Sequence, residues 1–100
     1  MEKLFVVIRD KSDAWDINKP LRSQKQWDKH ASFMNKLAAD GFVVLGGSIG
    51  NDEKFMLIVN AADENNIYST LDEDPWSQTG ILKISSIQQW TILLRTGEQN

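Results

Sequence analysis

The chain contains no cysteine. That removes disulfides, thiolate metal sites and a cysteine nucleophile together. It has a single histidine, His30, so a metal site would depend mainly on carboxylates, and no such cluster stands out. No Lys/Arg cluster appears, and 14 acidic residues outnumber 11 basic ones for a net charge of -3. Neither a nucleic-acid surface nor an anionic-membrane footprint is expected from that balance. No apolar run approaches the roughly 20 residues needed to span a bilayer. The opening "MEKLFVVIRD" has too short an apolar stretch for a secretory signal, so a cytosolic protein is the default expectation. Proline occurs twice and glycine six times, which leaves room for uninterrupted elements.

With 41% hydrophobic residues and 25% charged, the 100 residues suit one folded domain, 1–100, with a modest core. "KLFVVIR", residues 3–9, is rich in β-branched and aromatic side chains and reads as a strand. "DKSDAWDINKPL" is polar and aperiodic, a loop long for a compact domain. A first helix is expected over residues 22–40, ended by Gly41. "FVVLGGS", residues 42–48, and "KFMLIVNA", residues 54–61, are strands joined by a turn at "IGNDE". Asp63 caps a second helix reaching to about residue 73, with Ile67 and Leu71 facing inward. Residues 80–94 read as a final strand. The order βαββαβ predicts an α+β, ferredoxin-like fold: a four-stranded antiparallel sheet with two helices on one face.

An antiparallel sheet with one wet face alternates apolar and polar residues. "LFVVI", "FVVL" and "FMLIV" do not alternate. Both faces therefore want cover, and two helices cover only one. A second copy in a closed two-fold dimer is the simplest cover for the other. The apolar "QWTILL", residues 89–94, is expected to pair or pack at the sheet or at that dimer seam.

In "WDKHASFMNKL" the apolar residues recur at three- and four-residue steps through Trp27, Ala31, Met34 and Ala38. His30 lies inside this stripe. Asp74 stands before Pro75, which pushes it out of helical geometry and fixes its backbone. A fixed carboxylate beside an imidazole can select its tautomer and orientation, an arrangement suited to general acid/base work. Arg22, eight residues before His30, could hold a substrate carboxylate or phenolate. Gly46 and Gly47 could admit a ligand close to the backbone or allow a bulge. The four tryptophans suit a core or an interface, and a lined pocket as well.

"WDKHASFMNKLAADGFVVLGG", "DPWSQTGIL" and the terminal "WTILL" together resemble the YCII-related (YciI-like) family along essentially the whole chain. The resemblance implies a dimeric α/β barrel. It also implies His30 and Asp74 as the active pair. Arg22, Gly46, Gly47, Ser48 and Trp76 are expected around a small-molecule ligand. Many relatives carry proline after the glycines, where this chain has Ser48. No cofactor and no metal are expected. The reaction stays open between an enzyme acting on a small cyclic or carboxylated molecule and a non-catalytic dimeric binding module.

Overall fold

The computed structural model describes residues 3–98. Its elements are β1 (Leu4–Lys11), α1 (Trp27–Ala39), β2 (Val43–Ile49), β3 (Lys54–Asn60), α2 (Glu64–Leu71), α3 (Pro75–Gln78) and β4 (Leu82–Trp90). The four strands form one antiparallel sheet in the order β2-β3-β1-β4, as expected for the ferredoxin-like arrangement. No helix among the described residues is long and apolar enough to cross a membrane.

Three boundaries differ from the sequence reading. The first helix begins at Trp27 rather than Arg22. Leu21–Ser23 forms a separate 3-10 turn, and Gln26 sits in the left-handed region at φ 60°, which breaks any continuous helix there. Proline at the first helical position permits a further one-turn helix, α3, directly after Asp74. β4 stops at Trp90, so residues 91–94 lie outside the sheet.

Local chemistry explains the ends that were expected. α1 terminates with Gly41 at φ 85°, where the Gly41 amide donates to the Ala38 carbonyl and the Phe42 amide to the Leu37 carbonyl. This is a Schellman motif, and it delivers the chain straight into β2. Asp63 caps α2 by accepting from the Asn66 amide at 2.8 Å.

Register assigns the faces. Phe5, Val7 and Arg9 on β1 stand opposite Val59, Leu57 and Phe55 on β3 and share the helix-covered face. Phe5, Val7, Val43, Leu57 and Val59 pack there with Ile67 and Leu71 of α2, both fully buried. A second cluster lies under the 12–21 loop, where Phe55, Trp76, Ile81 and Leu82 meet Trp15, Leu21 and Trp27. Trp76 is thus a core residue, Trp15 and Trp27 are half-buried against it, and Trp90 is 44% exposed.

The opposite face carries Val6 and Ile8 of β1, Met56 and Ile58 of β3, and Leu45 and Ile49 of β2. Helices do not cover it, and Leu45 is 67% exposed. β4 is different, because Gln88 and Ser86 alternate with Ile87 and Ile84. The exposed apolar residues of this face lie on β2 and β3, at Leu45, Ile49 and Met56, while Val6 and Ile8 are half-buried and Ile58 is buried.

Ile67→Ala removes a fully buried side chain from the core seam between α2 and the sheet. It is expected to cost about 2–5 kcal/mol. Urea unfolding with an unchanged slope checks this.

Candidate functional site

Asp74 occupies the position before α3 with extended backbone geometry, and its carboxylate is completely buried. Its Oδ1 accepts from the Trp76 amide at 2.9 Å, which is the helix cap. His30 Nδ1 lies 2.9 Å from both carboxylate oxygens. Arg9 Nη1 lies 2.9 Å from Oδ2. A carboxylate is an acceptor only, so His30 Nδ1 is the donor. A neutral imidazole then carries its lone pair on Nε2, which makes no hydrogen bond to a described residue.

The ring is clamped as well as bonded. Trp76 stacks on His30 with ring centres 3.8 Å apart and planes 6° from parallel. The Trp76 indole N–H donates to the Lys25 carbonyl at 2.7 Å, fixing the indole in turn. Trp27 packs against both rings from one turn earlier on α1. The helix stripe and the Pro75 turn thus bring together two residues forty-four positions apart.

Electrostatics favours the ionised carboxylate. Burial alone would raise the Asp74 pKa. The hydrogen bond from His30, the charge of Arg9 and the Trp76 amide together outweigh it and hold Asp74 below the usual carboxylate range. For Arg9, burial is the largest influence and lowers its pKa, opposed by Asp74.

Beside this cluster lies a cavity of about 400 Å³ between α1 and the β2 side of the sheet. His30, Trp76, Arg22, Gly46, Gly47 and Ser48 all line it, together with Arg9, Trp27 and Met34. Asp74 does not line it. It sits behind His30 as the group that orients the ring. Arg22 reaches the cavity from the 3-10 turn, not from α1, and its guanidinium carbon lies 5.8 Å over the Trp27 ring. The bulge in β2 falls between Val43 and Leu45, ahead of the glycines. Gly46 answers to packing instead, since a Cβ there would lie 2.8 Å from Leu57 Cδ2. At Gly47 a Cβ would meet nothing within 4 Å.

Arg9 is the member the sequence reading missed. It is 2% exposed, and its second guanidinium nitrogen donates to Ser77 Oγ at 2.8 Å. Its Nε has no hydrogen-bond partner among the described residues. The signal was its phase: Phe5, Val7 and Arg9 alternate on one strand face, so an arginine stood where a core residue belongs.

No group of three or more metal-ligating side chains occurs among the described residues. Comparison of the chain with family models, with curated proteins and with solved structures gives no match.

Removing Asp74 would strand the buried Arg9 charge. Asp74→Ala is expected to cost about 3–5 kcal/mol by denaturant unfolding, more than a surface ion pair is worth. The pH dependence has a definite sign. Asp74 titrates lower in the folded state than in the unfolded state, so its contribution is present above about pH 4 and fades as pH falls through the lower folded value. Urea midpoints taken between neutral and strongly acidic pH should fall less steeply on the acid side in Asp74→Asn than in the unsubstituted protein.

Proposed function

We propose that the cavity is an acid/base site of YciI-like type, acting on a small anionic molecule that is cyclic or carboxylated. His30 Nε2 accepts a proton from the bound molecule and returns it. Asp74 holds the ring and compensates the imidazolium that forms. The observation that carries this reading is the commitment of His30 Nδ1 to Asp74, which leaves Nε2 as the free base of a ring that lines the cavity.

The charge of the lining supports the ligand class. The chain is acidic overall, yet no Asp or Glu lines the cavity, while Arg9 and Arg22 both do. Arg9 is matched by Asp74, so Arg22 at the mouth is the cation left to meet a carboxylate or phenolate. Trp27, Met34 and Trp76 supply the apolar walls for a ring. The proton transfer needs no cofactor, since imidazole supplies both base and acid. His30 borders a cavity of ligand size, which supports a role toward a bound molecule.

We further propose that the working unit is a cytosolic homodimer. The helix-free face, on which Leu45, Ile49 and Met56 are exposed, is the surface that a second copy would cover.

Two measurements test these readings. Small aromatic and aliphatic carboxylates, screened by thermal shift, should include some that raise the melting temperature of the unsubstituted protein but not of His30→Ala. Equal shifts in both proteins would remove His30 from the site. Light scattering at micromolar concentration should give twice the chain mass. Val6→Asp should give a poorly soluble monomer, and a compact, soluble monomer of the unsubstituted chain would end the dimer reading.

A further inference from the structure

The strand register defines one unusual row across the sheet. Ser48 of β2 stands opposite Phe55 of β3, and Phe55 stands opposite Arg9 of β1. Residues directly opposite one another point to the same face. Phe55 is buried in a cluster with Trp76 and Leu82, so the whole row lies on the helix-covered face. Gly46, two residues before Ser48, has the same phase, and a Cβ there would run into Leu57 of the core. The other rows of that face over these three strands are apolar: Gly46 with Leu57 and Val7, and Val43 with Val59 and Phe5. Polar side chains enter only in the row of Ser48 and Arg9.

Those two residues differ in what they still have to give. Arg9 is engaged, with one guanidinium nitrogen on Asp74 and the other on Ser77. Ser48 lines the cavity, and its hydroxyl makes no hydrogen bond to a described residue. A valine or isoleucine would suit the strand better at that place. The serine therefore holds a position of core phase, beside the cavity, with a donor that the fold does not use.

Chain direction says which end of the cavity Ser48 occupies. The Gly41 turn reverses the chain between α1 and β2, so the two run antiparallel along the cavity. Met34 and Leu37 of α1 pack on the cluster that holds Val43, where β2 begins. Trp27, where α1 begins, packs on the cluster that holds Phe55, the neighbour of Ser48. The lengths agree: α1 rises about 16 Å from Trp27 to Ala38, and β2 advances about 16 Å from Val43 to Ser48. Ser48 thus lies at the end where His30 and Trp76 stand and where Arg22 lies over Trp27.

We infer that Ser48 is a specificity-determining residue of the His30 cavity, its hydroxyl donating a hydrogen bond to the same carboxylate or phenolate that Arg22 pairs with. The inference rests on the acid/base reading of the cavity and deepens it by fixing how the ligand lies. The anionic group sits between Ser48 and Arg22, and the apolar body runs along Trp27 and Met34 toward Val43. A carboxylate has acceptor sites for both donors at once. The guanidinium supplies charge, and the hydroxyl adds a short directional bond from the sheet floor, so the two together favour an acid over its neutral counterpart.

Benzoate, phenylacetate and cyclohexanecarboxylate are the probes, titrated by NMR through the indole N–H signals of Trp27 and Trp76. Ser48→Ala should weaken the tightest of the three about tenfold, the loss of one hydrogen bond to a charged group. Ser48→Thr keeps the hydroxyl and should bind nearly as the unsubstituted protein does. The melting temperature of the unliganded protein should be the same in Ser48→Ala, because the hydroxyl holds nothing in the fold. Combining Ser48→Ala with Arg22→Gln should cost less than the product of the two single losses, since both donors meet one group. A full product of losses overturns that shared contact. Probe binding that is abolished in His30→Ala but unchanged in Ser48→Ala overturns the inference and leaves the acid/base reading in place. Failure of all three probes to bind overturns both.

Discussion

One buried carboxylate organises the tryptophan-rich half of this protein. Asp74 accepts from α1 through His30, from β1 through Arg9 and from its own following turn through the Trp76 amide. A charge taken out of water is tolerated only where such partners converge, and here three separate pieces of chain must arrive together. The position of α3 on the sheet, the orientation of the histidine ring and the stacking of Trp76 all follow from that convergence. Arg9 balances Asp74, so the buried carboxylate leaves no unmatched negative charge in the core.

Much of this was legible beforehand, for identifiable reasons. The strands declared themselves through β-branched runs, and α2 through Asp63 and the Ile67–Leu71 pair. His30 was visible because a polar ring in an apolar stripe conflicts with its surroundings. Asp74 was visible because Pro75 dictates the geometry of the residue before it. Such conflicts between a residue and its place are where sequence speaks most clearly about sites.

What stayed hidden depended on contacts across the fold. Arg9 looked like the charged end of a strand, and only its phase with Phe5 and Val7 marked it as interior. The start of α1 was misplaced because helix propensity through residues 22–26 competes with a tertiary demand. Gln24 turns its side chain into the neighbouring loop, and the left-handed Gln26 follows. The end of β4 was overextended because apolar composition reports a wish for burial without saying which chain provides it. The tail "TILL" satisfies the pattern of a strand, yet among the described residues no strand pairs with it.

The Gln24 side chain has a consequence for how the site can move. It is 4% exposed, accepts from the Asp16 amide, and donates to the carbonyls of Asp16 and Lys19. An amide that would ordinarily be a surface group thus serves as an internal rivet for the long loop between β1 and α1. Trp15 of that loop is pinned further by its contacts with Phe55 and Trp76. The loop is consequently masonry rather than a door. The opposite margin of the cavity is β2, where Gly46 and Gly47 present no side chain.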